Sequence, residues 1–307
     1  MKNRQAAFSK SEKMLKGALH CHTTRSDGAG SPEDVIRLHA ANEYDFMAVT
    51  DHRIYNRKNF APDVQMTILP AMEFDATFES DFGFRCFHTV SIGPDDSTNG
   101  FAQDQTFSSG KAANQQEYQP YLDWLHQNNN LTIYCHPEWS STPTRYFDQL
   151  RGNFAMEIWN SGCAMENGMD MNAAYWDEIL GQGQQIFGVA TDDGHAMDQH
   201  CKGWVMVNAE NTVSSILRAL QQGAFYSSCG PVIDDFYIED GIAYVTCEPC
   251  SRIQFLSDKH PTVQFSGDGL TRAQLNLDGQ YHYVRVCVMN EYGQRAWTNP
   301  IFCTSLV

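Results

Sequence analysis

The stretch HCHTTRSDG, residues 20–28, follows an apolar run over residues 14–19 that is typical of a strand entering a core. Residues two apart on a strand point to the same face, so His20 and His22 present two imidazoles side by side. The polar residues after them predict a loop that carries Asp27 beside Gly28. Two imidazoles and a carboxylate at the end of a buried strand suit a transition metal. The ordinary alternative for each histidine is a structural role, and only further ligands later in the chain favour the metal.

The composition is that of a folded protein. The chain has 307 residues, of which 42% are hydrophobic and 12% aromatic, which suits one large domain or one domain with a small addition. No apolar run reaches the roughly 18 residues of a membrane-spanning helix. Residues 1–14 are polar and lack the apolar centre of a secretory signal, so we predict a disordered or frayed lead-in.

Cysteine usage and charge narrow the possible functions. Several of the ten cysteines lie in apolar, strand-like runs, where a free thiol acts as a small hydrophobe, and this indicates the reducing cytoplasm. Cys247 and Cys250 form a lone C-x-x-C without the second pair of a zinc ribbon, so we interpret them as structural. The formal charge of −16 disfavours long nucleic acids. It permits a small phosphorylated substrate, because bound cations reverse the local field.

Strands and helices alternate along the first two thirds of the chain. Ser31 before Pro32 is a helix start, and further helices are predicted over 118–127, 144–150 and 169–180. Polar side chains follow the predicted strands, as at the active end of a parallel α/β barrel. Residues 94–116 are polar and predict an insertion or mobile loop. We therefore predict a parallel, barrel-like α/β domain over 15–230 and a small antiparallel β-module over 231–307.

Imidazoles and carboxylates dominate the predicted strand ends. The set is His20, His22, Asp27, His52, Glu73, His88, His136, Asp193 and His195. Nine such groups exceed the needs of one ion, so two or three ions with at least one bridging carboxylate account for them. The set lacks cysteine, which favours an open catalytic site over a closed structural zinc site.

In their order along the chain these motifs resemble the PHP (polymerase and histidinol phosphatase) superfamily of metal-dependent phosphoesterases. The matching motifs are His20-Cys21-His22 with Ser26-Asp27-Gly28, Thr50-Asp51-His52, Met72-Glu73, His88, His136-Pro137 and Asp193-Gly194-His195. The arrangement also resembles a branch of that superfamily that includes carbamate-ester hydrolases. The β-module resembles a small extension found in some members.

The resemblance implies a distorted (β/α)7 barrel with a trinuclear metal centre. It assigns His20, His22, Glu73 and Asp193 to the first metal, and Glu73, as a bridge, to the second with His88 and His136. It assigns Asp27, His52 and His195 to the third metal. A hydroxide shared by two metals would attack the substrate, while the third neutralises developing charge. Such mixed nitrogen and oxygen sites accept manganese, iron or zinc.

Other residues near the motifs receive supporting roles. Asp51 and Asp192 are interpreted as orienting ligands. Arg25, Arg53 and Lys202 lie close to ligands in sequence and are candidates to bind a phosphate, with a solvated surface charge as the alternative. His200 is a candidate general acid. Trp139, Trp159 and Asn160 are candidates to wall the pocket, whereas His39, His126, His260 and His282 are interpreted as structural.

Three functions remain open at this point. The first is hydrolysis of a phosphate mono- or diester of a small metabolite, which the resemblance favours. The second is hydrolysis of a non-phosphate ester, carbamate or amide, which needs fewer cations around the pocket. The third is a non-catalytic domain stabilised by metal. The substrate, the metal and the oligomeric state are not encoded in these motifs.

Overall fold

In a computed structural model, which describes residues 4–8, 14–80, 83–96, 98–259, 262–279 and 281–303, strands and short helices form a mixed α/β fold. The strands are β1 (Arg4–Ala6), β2 (Leu15–Ala18), β3 (Phe46–Ala48), β4 (Thr67–Leu69), β5 (Ala71–Ser80), β6 (Gly83–Ile92), β7 (Gly110–Lys111), β8 (Leu131–Tyr134), β9 (Asn153–Asn160), β10 (Phe187–Thr191), β11 (Trp204–Val207), β12 (Phe225–Ser228), β13 (Ile233–Glu239), β14 (Ile242–Ser257), β15 (Val263–Asn276), β16 (Tyr283–Met289), β17 (Arg295–Thr298) and β18 (Ile301–Phe302). The helices are α1 (Pro32–Ala41), α2 (Gln115–Gln127), α3 (Ser161–Asn167), α4 (Asn172–Gly181) and α5 (Val213–Gln221), with a 3-10 turn at Thr144–Tyr146. No helix in these ranges is long and apolar enough to cross a membrane.

The strands lie in two sheets. One has six strands in the order β10-β9-β8-β6-β5-β7, and the other has twelve, with the path β1-β13-β14-β16-β17-β12-β11-β2-β3-β4 and with β15 and β18 beside β14 and β16. The described strands therefore do not form one closed, hydrogen-bonded barrel. The prediction of an all-parallel domain is wrong in detail, because β5 and β6 form an antiparallel hairpin and β11 runs antiparallel to β2.

Backbone hydrogen bonds nevertheless join the strand ends around one cavity. Three of these hydrogen bonds join residues that follow β2, β3 or β10 or lie near the start of β5. Asp193 N donates to His20 O, Thr50 N donates to Cys21 O, and Glu73 N donates to Thr50 O. The carboxyl ends of β2, β3 and β10 thus meet the start of β5. This is why side chains far apart in sequence converge.

The C-terminal strands, over the predicted β-module, pair antiparallel and continue the larger sheet through the β12–β17 pair. Within the predicted lead-in the structure differs from the expectation, because β1 pairs with β13 and Phe8 is buried. Apolar packing of Phe8 against the module accounts for this order. Residues 1–3 and 9–13, also in the predicted lead-in, lie outside the described ranges.

The helices differ from their predicted bounds at several points. Helix α1 begins as predicted, with the Ser31 side chain accepting from Asp34 N and proline at the first helical position. Helix α2 begins earlier, because the Asn114 side chain caps it by accepting from Glu117 N. Helix α3 was not predicted, and its cap is Asn160, whose side chain accepts from Cys163 N. An Asn that follows a strand and precedes small residues was the available signal.

Candidate metal centre

Four donor atoms from three parts of the chain meet behind the end of β2. His20 Nε2 and His22 Nε2 lie 3.1 Å apart. Glu73 Oε2 lies 3.4 Å from the His20 nitrogen and 3.2 Å from the His22 nitrogen. Asp193 Oδ1 lies 3.2 Å from the His20 nitrogen and 3.0 Å from the His22 nitrogen. A tetrahedral ion with bonds of about 2.0–2.2 Å would place its ligand atoms about 3.3–3.6 Å apart. The spacing therefore fits a transition metal to within a few tenths of an ångström.

Glu157, which sequence reasoning missed, sets the orientation of His20. Its Oε1 accepts from His20 Nδ1 at 2.7 Å, so the Nε2 lone pair is left to face the other ligands. Its Oε2 accepts from His136 N and from Asn160 Nδ2, each at 2.9 Å. The side chain is fully buried. The signal in the sequence was a single acid inside the apolar strand β9.

We expect Glu157→Gln to weaken metal binding about 10- to 100-fold, the usual effect of losing a carboxylate behind a histidine ligand. The amide would also turn a donor toward groups that already donate to Oε2. Isothermal titration with zinc measures the effect, and Glu178→Gln, at an exposed position of α4, is the matched control. An affinity within twofold of wild type in the folded variant would contradict this role for Glu157.

A second group of ligands surrounds the other oxygen of Glu73. Glu73 Oε1 lies 2.8 Å from His88 Nδ1 and 3.4 Å from His136 Nε2. His88 reaches this point from the middle of β6, opposite Asp75, and not from a strand end as the barrel pattern suggests. His52 also faces Glu73, with its Nδ1 3.0 Å from Oε2. Glu73 therefore has the position of the bridging carboxylate that the resemblance implies.

The third group lies nearer the solvent around Asp27. Asp27 Oδ2 lies 3.6 Å from both His52 Nε2 and His195 Nε2. His195 Nδ1 is 2.9 Å from the Asp193 carbonyl and donates to it, which leaves Nε2 as the ligand atom. Donor atoms of His22, Asp27, His52 and His195 all lie within 4.8 Å of one another. His52 thus stands between two groups, although the resemblance assigned it to the third metal alone.

The buried polar atoms and the backbone of this centre support a metal. Glu73 Oε2 and His52 Nδ1 are buried and, although 3.0 Å apart, make no hydrogen bond with each other or with any other described residue. This arrangement costs free energy unless a cation or water satisfies them. His136 and Asp193 adopt positive φ angles of 26° and 49°, a strain of about 1–3 kcal/mol each that is typical of functional sites. The donor set and its geometry therefore fit divalent ions.

Carboxylates control the protonation of the centre. Burial alone would lower the pKa of His22, but hydrogen bonds and charges from Asp193 and Glu73 outweigh it and raise the pKa to about 9. The pKa of His20 is likewise raised against burial, by Asp193, Glu73 and Glu157. Although burial opposes it, surrounding histidines hold the pKa of Glu73 well below its usual value. Protons on His20 and His22 therefore compete with metal for the same nitrogens.

This competition predicts how metal changes thermal stability with pH. A histidine whose pKa rises from about 6.5 in the unfolded chain to about 9 in the folded protein stabilises the fold fully only below pH 6.5. That contribution is lost as the pH rises toward 9. Bound metal replaces these protons, so the difference in Tm between metal-loaded and EDTA-treated protein should increase from pH 6.5 to 8.5. A constant difference across this range would contradict the assignment.

Asp51 and Asp192, which were predicted to orient ligands, accept hydrogen bonds from loop residues and not from the ring nitrogens of the predicted ligands. Asp51 Oδ1 accepts from Thr23 N at 2.8 Å and Ser26 Oγ at 3.1 Å, which shapes the loop that carries Asp27. Asp192 accepts the backbone N–H groups of the turn after His200. Asn160, a predicted wall residue, donates to Asp193 Oδ2 at 3.0 Å and so supports a ligand.

The cavity over the centre has a volume of about 270 Å³ and is lined by seven of the nine predicted ligands. Its other walls are Trp139, Gly162, Cys163 and Glu166. The Trp139 ring lies 5.1 Å from the His136 ring, as expected for a wall residue. Trp159 instead lines a separate cavity. Among the residues that the structure describes, no lysine or arginine lines the cavity over the centre.

The structure does not bring the predicted phosphate-binding cations to this cavity. Arg25 pairs with Asp104 at 2.5 Å, and Arg53 pairs with Asp75. Lys202 lines the separate cavity behind α3. Proximity in sequence misled for the two arginines, because acidic residues from other segments pair with both of them.

His200 does not reach the cavity over the centre either. Its side chain is almost fully buried behind Gly194, and it is absent from the cavity walls. A general acid must lie within hydrogen-bonding reach of the leaving group. The candidate role of His200 as general acid is therefore not supported.

No protein-family model and no curated protein matches the chain. Similar solved structures include a two-domain protein from Bacteroides vulgatus "containing predicted PHP-like metal-dependent phosphoesterase". It shares 14% identity, with a TM-score of 0.49, over 94% of this chain and 95% of that one. An amidohydrolase from Chromobacterium violaceum with bound sulfate shares 13% identity over 59% of this chain and 88% of that one, with a TM-score of 0.41.

The structural neighbours thus include a PHP-like protein. This is the superfamily that the motifs resemble.

Proposed function

We propose that the protein is a hydrolase that uses two or three divalent ions, manganese, iron or zinc, to cleave a phosphate mono- or diester of a small metabolite. The observation that carries the proposal is a set of four donor atoms from His20, His22, Glu73 and Asp193. The two imidazole nitrogens lie 3.1 Å from each other and 3.0–3.4 Å from the two carboxylate oxygens. Two further groups share Glu73 or His22 with it. Such sharing is what a polynuclear centre requires.

Bound ions at this centre would lower the pKa of a water to supply the nucleophile and would polarise the scissile group. The chain's own residues provide the positioning. Glu73 and Asp193 hold the groups together, Glu157 orients His20, and Asp27 completes the outer group from a loop fixed by Asp51. Trp139 and the start of α3 limit the cavity to a small substrate group.

Charge supports a phosphate as the group that is attacked. Three divalent ions would carry six positive charges against the three carboxylates Asp27, Glu73 and Asp193. The excess of positive charge would face the open side of the cavity and attract a phosphate dianion without help from lysine or arginine. The substrate class that we propose is therefore a small phosphorylated metabolite, and not a long nucleic acid.

One observation favours the second candidate, a non-phosphate ester, carbamate or amide. No lysine or arginine lines the described cavity, and Glu166 adds a carboxylate to its wall. A phosphate-binding site usually contains such cations. A neutral acyl or carbamoyl group needs only the ions and the nucleophile.

A substrate panel on the metal-loaded enzyme distinguishes the two candidates. We expect the protein loaded with manganese, iron or zinc to release phosphate from some phosphate mono- or diesters and to lose this activity in Glu73→Gln. Turnover of aryl esters or carbamates alone would establish the second candidate. Absence of all turnover in protein that holds at least two metal equivalents would contradict a hydrolase.

The proposal also includes a distorted (β/α)7 barrel and a cytoplasmic location. The ring of backbone hydrogen bonds that joins the strand ends supports the first. The second is supported by ten cysteines that are all free thiols.

A further inference from the structure

A second cluster of ionisable side chains lies behind the segment that carries Asp193 and His195. It consists of His39 from the last turn of α1, Asp192 from the end of β10 and His200 from the following turn. Their residues are 0%, 0% and 2% exposed. One donor atom from each lies within 4.8 Å of the other two. The cluster does not line the cavity over the metal centre.

His39 presents a lone pair to the cluster. Its Nδ1 is 2.8 Å from the Val35 carbonyl and donates to it within α1, so in the neutral ring Nε2 carries the lone pair. This Nε2 faces Asp192 Oδ2 at 3.6 Å and has no hydrogen-bond partner among the residues that the structure describes. A lone pair and a carboxylate oxygen therefore face each other in a buried space. A cation or a donor hydrogen between these two atoms would satisfy both of them.

Asp192 is held firmly in this position. Its Oδ1 accepts from Lys202 N and Gly203 N, each at 2.8 Å, and from Ser161 Oγ at 3.1 Å. Among the described residues, its Oδ2 accepts only from Cys201 N, at 2.7 Å. Oδ2 therefore keeps a lone pair for a ligand on the side of His39.

His200 completes the cluster. Both its ring nitrogens are buried and make no hydrogen bond within the part of the chain that the structure describes. Its ring is nearly perpendicular to that of His39, with the centroids 5.5 Å apart. On its other side Nδ1 lies 2.6 Å from the point that a Cβ on Gly194 would occupy. Gly194 therefore lets His200 pack directly against the Asp193–His195 segment.

We propose that His39, Asp192 and His200 bind an additional divalent ion of the zinc class. Two imidazoles and one carboxylate form a common zinc ligand set, and the remaining tetrahedral position would take a water. The ion would satisfy His39 Nε2 and one ring nitrogen of His200, and it would tie α1 to the segment that carries Asp193 and His195. Its role would be structural, and the proposal does not depend on the function proposed above.

Metal counting on the full chain tests the site. Wild type, His39→Gln and His200→Gln are equilibrated with zinc, dialysed and analysed by mass spectrometry, with His282→Gln, at an exposed position of the module, as the matched control. Each cluster variant should hold one equivalent less than wild type and the control. Asp27→Ala combined with His200→Gln should lose two equivalents, which separates this site from the cavity centre. Folded cluster variants with the wild-type metal count would overturn the proposal.

Anomalous diffraction from zinc-loaded wild-type crystals tests the site even if both variants fail to fold. An anomalous peak within about 2.0–2.2 Å of His39 Nε2 would support the ion. Density without an anomalous signal between His39 and Asp192 would identify a buried water and overturn the proposal.

Discussion

Glu73→Gln should reduce kcat by about 1000-fold or more and release at least one metal equivalent. Glu73 contacts His20, His22 and His52 through Oε2, and His88 and His136 through Oε1, so a single side chain joins all three groups. A neutral amide removes the bridging charge. Loss of one ion removes several kcal/mol of transition-state stabilisation, and each 1.4 kcal/mol or so corresponds to a tenfold change in rate.

The measurement combines steady-state kinetics with metal analysis of the dialysed protein. Glu178→Gln makes the same chemical change at an exposed position of α4 and should leave both values unchanged. If Glu73→Gln kept the wild-type metal count and rate, the centre would have to lie elsewhere in the protein.

Asp27→Ala should remove one metal and lower kcat by at least about 100-fold, while the ion between His20 and His22 stays bound. Asp27 belongs only to the outer group, where it faces His52 and His195. Although burial opposes it, those histidines and His22 hold its pKa well below the usual value, so it is ionised at neutral pH. Removing this carboxylate leaves the buried donor atoms around Glu73 and Asp193 in place.

Two measurements distinguish the loss of one ion from disruption of the whole metal centre. Metal analysis should show one lost equivalent, and cobalt-substituted protein should retain the absorption of a site with two histidines. Asp123→Ala, at an exposed position of α2, is the control and should behave as wild type. Loss of every metal from folded Asp27→Ala would show that the groups do not bind independently.

The positions of the predicted ligands were accessible to sequence reasoning for a physical reason. Imidazole and carboxylate side chains are costly to bury unless paired, so their appearance after apolar runs, as at His20, His136 and Asp193, marks a site. The helix start at Ser31 was equally local, since a capping side chain and a proline act within one turn. Those predictions used only neighbouring residues.

Predictions that depended on distant parts of the chain were less successful. Arg25 and Arg53 seemed suited to a phosphate, but Asp104 and Asp75 from other segments pair with them. His88 reaches the centre from the middle of an antiparallel strand, which alternation of strands and helices does not predict. Glu157 looked like an ordinary strand residue, because its contacts with His20 and His136 come from segments 137 and 21 residues away.

The sequence by itself determined which side chains have metal-binding chemistry and where turn signals separate the C-terminal strands, because residue type, spacing and turn signals are local properties. Only the tertiary structure decided how those side chains group, that Glu73 reaches all three groups, and that no lysine or arginine among the described residues lines the cavity. It also placed His200 beside His39, behind the centre and not at its mouth. Distances between segments depend on how two sheets pack and join, and no local pattern along the chain encodes them.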